Sequence, residues 1–102
     1  MSTQAAVIDG CAQRLVRDPR TGFSDCPGCG FHGRPDRHLA YSIARQHGLN
    51  AVRAQAFATG HRALLAQALA ERKPRSVIAA QLIQLARAAA EQYARRTPAP
   101  RA

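Results

Sequence analysis

The chain has 102 residues, which is enough for one domain with one modest hydrophobic core. It carries 15 lysine and arginine residues against 6 acidic ones, a formal net charge of +9, and 14 of those cations are arginine. A strongly basic small domain is typical of a nucleic-acid-binding protein. The alternatives are an acidic protein partner or membrane surface, and an arginine content that reflects GC-rich codons alone.

Several classes of protein are disfavoured by the same composition. No stretch approaches the roughly 18 apolar residues of a membrane span, so we expect no membrane segment. Residues 1–10 carry no basic flank and no apolar run, so we expect no signal peptide. Three cysteines are an odd number, which does not suit a small disulfide scaffold. A reducing, cytoplasmic compartment is therefore expected.

The first half of the chain is predicted to hold two helices separated by a loop. Apolar residues recur at helical spacing over 4–17, which predicts the first helix. Proline and glycine punctuate the chain after it, and a metal-binding loop is expected over 23–38. Asp36 is expected to cap the second helix, which should end near His47 because Gly48 follows.

Three more helices are predicted in the second half. Their expected bounds are 51–58, with Asn50 as its N-cap, 61–72 and 76–95. The apolar stripe of the last helix would serve the core or the seam of a homodimer. The chain is thus predicted to be mostly α, one small helical domain of four to five helices over 1–96, with a zinc-knuckle loop between the first two helices and no strand. Residues 97–102 are expected to be a disordered tail.

The run Cys26-Pro27-Gly28-Cys29-Gly30 is the most informative motif of the sequence. Two cysteines separated by a proline and a glycine form a tight turn that aims both sulfurs at one point, as a thiolate-bound metal requires. Over these five residues the turn resembles one half of a zinc ribbon, a domain that carries two such turns. The candidate ligands of a structural Zn²⁺ are Cys26, Cys29, His32, His38 and Cys11.

The third and fourth ligands remain open at this point. Cys11 either replaces one histidine, giving a Cys₃His site, or is a small apolar residue on the buried face of the first helix. His32 is either a ligand or a solvated loop residue. The cysteine pair also suits a redox dithiol or an iron–sulfur cluster. A catalytic zinc would need a nearby acid or base, and Asp36 is already expected to cap a helix, so we expect a structural zinc and no enzyme activity.

Residues 41–57 resemble the helix–turn–helix of bacterial repressors. Ala44 is small enough for a helix crossing, and Gly48 can supply the left-handed turn conformation. The resemblance implies a second helix near base edges, with phosphate contacts from arginines around it. The implied base contacts are Asn50, Arg53 and Gln55, and the implied phosphate contacts are Arg34, Arg37, Arg45 and Arg62. The alternative is two ordinary helices joined by a glycine-capped turn.

Three functions are compatible with these features. The leading hypothesis is a small zinc-binding protein that binds nucleic acid, with DNA favoured over RNA, as a transcriptional regulator or accessory factor. The second is a zinc-stapled adaptor for protein interactions, in which helix 76–95 seats a partner helix. The third is a redox or iron–sulfur carrier that uses Cys26 and Cys29.

Overall fold

The computed structural model describes Cys11 and residues 14–96. Within that part of the chain, four α-helices follow a small sheet and a short 3-10 turn. The elements are β1 Val16–Arg17, β2 Ser24–Asp25, β3 His32–Gly33, the 3-10 turn Pro35–Arg37, α1 His38–Gln46, α2 Ala51–Gly60, α3 Arg62–Ala70 and α4 Arg75–Arg96. The fold is mostly α, as predicted.

The three strands form an antiparallel sheet in the order β1-β2-β3. The prediction of no strand is therefore wrong, because strands of two residues are too short to leave an alternating pattern in the sequence. The cysteine turn joins β2 to β3, so the predicted metal-binding loop over 23–38 contains a β-hairpin. The predicted helix over 4–17 is wrong at its end, where Val16–Arg17 is a strand, and most of the rest lies outside the described residues.

The start of α1 also differs from the prediction. Asp36 lies in the 3-10 turn, and the N-cap position of α1 is held by Arg37, whose side chain makes no cap hydrogen bond. Pro35 explains the difference, because its ring fixes φ near the helical value and starts the turn before Asp36 is reached. The chain therefore enters α1 through a tighter turn than a capped helix would need.

The connection between α1 and α2 is close to the predicted one. Gly48 has φ +98, the left-handed conformation that a residue with a side chain adopts only at a cost. The Leu49 N–H donates to the Ala44 carbonyl at 3.0 Å, which closes the end of α1. Asn50 Oδ1 accepts from the Arg53 N–H at 2.9 Å, so the predicted N-cap of α2 is confirmed.

The core lies around α1, which packs against both α2 and α4. Ile43 of α1 and Leu82 of α4 are fully buried, and so are the small side chains of Ala44 in α1 and Ala54 in α2. Alanine at these positions lets the helix axes approach closely, which offsets the shortage of large side chains. Phe31 is also buried, and its ring centroid lies 5.3 Å from that of Tyr41, so the cysteine loop is packed onto α1.

Two predictions concern the ends of the chain and the membrane. The expected tail over 97–102 lies outside the described residues. Among the helices that the structure describes, none combines the length and the apolar character needed to cross a bilayer.

Candidate metal centre

The turn between β2 and β3 brings the two cysteines of the motif together. The Cys26 N–H donates to the Phe31 carbonyl at 2.9 Å, and the Gly30 N–H donates to the Cys26 carbonyl at 2.9 Å. Gly30 has φ +80, which allows the chain to reverse directly after Cys29. The Cys29 N–H donates to Cys26 Sγ at 3.4 Å, so backbone dipoles already point at a sulfur.

Four potential ligand atoms converge beside this turn. Cys11, Cys26, Cys29 and His38 each offer one, and all four atoms lie within 4.8 Å of one another. Cys11 Sγ lies 3.6 Å from Cys26 Sγ, and Cys29 Sγ lies 3.3 Å from His38 Nε2. At zinc bond lengths of about 2.3 Å to sulfur and about 2.0 Å to nitrogen, tetrahedral angles place two sulfurs about 3.8 Å apart and a sulfur and a nitrogen about 3.5 Å apart. The group therefore has the spacing of ligands that share one ion.

Cys11 is held in this group by residues far along the chain. Its N–H donates to Ser42 Oγ at 3.0 Å, and the same hydroxyl donates to the Leu39 carbonyl at 2.9 Å. Arg75 Nη2 donates to the Cys11 carbonyl at 3.0 Å. Helices α1 and α4 thus both anchor the Cys11 segment. Sequence reasoning missed Ser42 and Arg75, although Ser42 is a polar residue one helical turn after His38.

His38 is the first residue of α1 and is buried beside Phe31, with 5.4 Å between their ring centroids. Burial lowers the pKa of His38, and the positive charge of Arg75 lowers it further. Both effects favour the neutral imidazole. A neutral ring keeps a lone pair on nitrogen, which is the form that binds a metal ion.

The thiols respond differently to their surroundings. Burial raises the pKa of Cys29 to about 12, and the neighbouring sulfurs of Cys26 and Cys11 also raise it. Burial also raises the pKa of Cys26, but the N–H groups of Cys29 and Gly28 outweigh this and leave it below its ordinary value. The site thus favours the thiolate form of Cys26 and disfavours the thiolate form of Cys29. A divalent cation would stabilise both, because its charge stabilises every thiolate bound to it.

His32 does not join the group. Residues alternate across a strand, and since Phe31 points into the core, His32 points outward. Its Nδ1 lies 2.6 Å from Asp25 Oδ1, and both side chains are exposed. Between the two alternatives left open by the sequence, the structure brings Cys11 rather than His32 to the cysteine pair and His38.

The three side chains expected near base edges all make contacts within the protein. Asn50 caps α2, the Arg53 guanidinium lies 4.2 Å from the Tyr93 ring centroid, and Gln55 Nε2 donates to the His32 carbonyl at 2.9 Å. The exposed residues of α2 are Ala51, Val52, Ala56, Thr59 and Gly60. That face is uncharged. Asn50 is exposed just before it, and Arg53 and Gln55 are partly buried, so the expected base contacts stay a prediction.

The arginines expected to contact phosphate are more accessible. Arg34, Arg45 and Arg62 are exposed, and Arg37 is partly buried with no hydrogen-bond partner for Nε among the described residues. Arg45 and Arg62 each donate from Nη1 to a nearby carbonyl, which leaves their other N–H groups for an anion. None of these four arginines takes part in the Lys73–Glu71 ion pair or in the contact between His32 and Asp25.

Comparison with protein-family models, with curated proteins and with solved structures finds no significant match to this chain. The fold and the group of ligands define its class by themselves. It is a small, mostly helical protein with a candidate Cys₃His metal centre between a short sheet and α1.

Proposed function

We propose that Cys11, Cys26, Cys29 and His38 bind one structural Zn²⁺. The observation that carries the proposal is the convergence of their four ligand atoms within 4.8 Å. Zn²⁺ is tetrahedral and accepts sulfur and nitrogen, so these four residues would complete its coordination. A complete set of protein ligands leaves no position for a substrate, which supports a structural ion and a protein that is not an enzyme.

The rival metal chemistries have weaker support. An iron–sulfur cluster is usually held by four cysteines, whereas this group has three sulfurs and an imidazole. A redox dithiol would use only Cys26 and Cys29 and would give no role to Cys11 and His38. An odd number of cysteines also suits a reducing compartment, which supports a cytoplasmic location.

Metal analysis of protein purified without chelator tests the zinc proposal. We expect one equivalent of zinc, retained in His32→Ala and lost or strongly reduced in His38→Ala and Cys11→Ser. The histidine pair is a matched control, because both rings follow the same turn and only one belongs to the group. Unchanged zinc in His38→Ala, or zinc lost in His32→Ala, would contradict the assignment.

We further propose that the protein binds nucleic acid through its phosphates, with DNA as the expected partner, in a regulatory or accessory role. The net charge of +9 and the exposed arginines support this. Arginine presents a fixed fork of donors that matches a phosphate oxygen pair. Asn50, Arg53 and Gln55 already have partners inside the protein. The proposal therefore rests on contacts to the phosphates of the nucleic acid and does not include the reading of bases by α2.

Salt dependence tests this second proposal. The logarithm of the affinity for DNA should fall linearly with the logarithm of the salt concentration, because neutralised phosphates release counterions. Arg45→Gln and Arg62→Gln should each reduce the slope by about 0.7 to 0.9. Lys73→Gln removes the same charge from a residue already paired with Glu71, and should change the slope less. An affinity that does not depend on salt would contradict phosphate binding.

An adaptor that binds other proteins is a second candidate, favoured by one feature of the surface. Two adjoining hollows on α4 share Gln81 and Gln84, one beside the exposed Val77 and the other beside Leu64 of α3. Together they form a shallow, uncharged groove along the helix that the sequence suggested as a homodimer seam. Sedimentation of the zinc-loaded protein, with Val77→Lys as the variant, separates a dimer through this groove from a monomer.

A further inference from the structure

The outward face of the small sheet carries a group of side chains that the metal centre does not use. Val16, Asp25 and His32 are cross-strand neighbours in one row, and all three are exposed. In the neighbouring row Ser24 is buried, so that row faces the core. Phe23 precedes Ser24 and therefore lies on the same side as the exposed row. We call Phe23, His32 and Arg34 the sheet platform.

The platform is held in place by contacts among its own side chains and with α2. The rings of Phe23 and His32 meet edge to face, with centroids 5.6 Å apart and an interplanar angle of 87°. The Arg34 guanidinium lies 5.9 Å from the Phe23 centroid. Asp25 fixes the His32 ring through Nδ1, and Gln55 of α2 holds the His32 carbonyl. These contacts fix the planar groups before any ligand arrives.

We propose that the sheet platform binds the bases of single-stranded nucleic acid by stacking. The inference rests on the proposed nucleic-acid function and names its ligand class. Aromatic rings and guanidinium planes are the groups on which unpaired bases stack, without sequence preference. The bases of a duplex are already stacked on one another, so the platform selects single strands.

The charge around the platform favours this ligand over an acidic peptide. Arg34 belongs to the platform, is exposed, and lies close to the Phe23 ring. The nearby carboxylate of Asp25 is already paired with His32. The surface therefore joins the cation of Arg34 to planar rings, which suits alternating phosphates and bases. An acidic peptide would use the charge and leave the rings without a role.

Binding to two strands of equal length isolates the base contribution. One strand is a thymidine oligomer about 12 nucleotides long, and the other is an abasic deoxyribose-phosphate strand with the same number of phosphates. The zinc-loaded protein should bind the thymidine strand about 5- to 100-fold more tightly, the range that stacking of one base supplies. Fluorescence anisotropy of labelled strands at fixed salt measures both affinities.

Two variants address the platform and one serves as a control. Phe23→Leu keeps an apolar side chain and removes the aromatic ring, and His32→Ala removes the exposed ring. Each should weaken thymidine binding by about fivefold or more and leave abasic binding unchanged. Arg45→Gln should weaken both strands by the same factor, because it acts on phosphate alone. Zinc content checks that each variant is folded, and His32→Ala decides the test if Phe23→Leu does not fold.

The outcomes separate this inference from the function on which it rests. Equal affinity for the two strands, or thymidine affinity that His32→Ala leaves unchanged, would overturn the stacking site while phosphate binding stands. Failure of both strands to bind at low salt would overturn nucleic-acid binding altogether, and the stacking site with it.

Discussion

The hydroxyl of Ser42 is expected to control how tightly the metal is held, although it is not a ligand. It accepts the N–H of Cys11 and donates to the Leu39 carbonyl, and it is almost completely buried. Ser42→Ala removes both bonds without changing the four proposed ligands. The Cys11 segment then loses its direct link to α1, which also supplies His38. The sulfur of Cys11 should be less well positioned for the ion.

The size of the effect follows from the groups that lose a partner. A buried donor left without a hydrogen bond costs about 1–3 kcal/mol. Cys11 as a whole is only partly buried, so we expect the cost to lie in the lower half of that range. About 1.4 kcal/mol corresponds to a tenfold change in an equilibrium constant. Supporting residues around metal ligands typically change metal affinity by about 10- to 100-fold, so we expect a loss of about tenfold.

Competition with a chromophoric chelator measures this change directly. The matched control is Thr59→Ala, which removes an exposed hydroxyl from α2 and should leave zinc affinity unchanged. Circular dichroism of both zinc-saturated variants shows whether the helices are intact. Zinc affinity of Ser42→Ala within twofold of the parent protein would refute the reasoning, because it would mean that the hydroxyl does not position Cys11.

Three further predictions concern the turn, the cap and the metal. Gly48→Ala should lower the free energy of unfolding by about 1–2 kcal/mol, because alanine is strained at φ +98. Gly60→Ala, in helix α2 with open space around the added carbon, should raise it by about 0.5–1 kcal/mol, and urea titration compares the two. Asn50→Ala should lower it by about 1 kcal/mol and Asn50→Asp should restore most of it, as measured in the same titration, if the residue acts as a cap. Removal of the metal by a chelator should leave much of the far-ultraviolet circular dichroism signal of the helices. The N–H groups of Cys11 and Cys26 should lose protection from hydrogen exchange. Complete loss of the helix signal would contradict this prediction.

Local signals in the sequence predicted part of the fold and of the site. The spacing of Cys26 and Cys29 with proline and glycine between them is a turn signal, and the structure forms that turn. Gly48 and Asn50 marked the end of α1 and the start of α2, because a left-handed glycine and a side-chain cap act within a few residues. His38 was among the candidate ligands for the same reason, as it begins the helix that follows the loop.

The features that sequence reasoning missed depend on tertiary contacts. Strands of two residues exist only because Val16 and His32 pair on either side of Asp25. The exclusion of His32 follows from that register, which the burial of Phe31 fixes. The links from Cys11 to Ser42 and Arg75 span 31 and 64 residues, so no local pattern could reveal them.

The distribution of buried residues explains why a metal ion would be needed in the segment before α1. The helices share a continuous core, in which Ile43 and Leu82 are completely buried. The segment before α1 contributes only Cys26 and Phe31 to the buried apolar set of the described residues. Two side chains bury too little apolar surface to order a loop and three short strands against their conformational entropy. A metal ion shared by Cys11, the turn and α1 would supply that missing cross-link, and the sheet platform would then depend on the zinc centre for its shape.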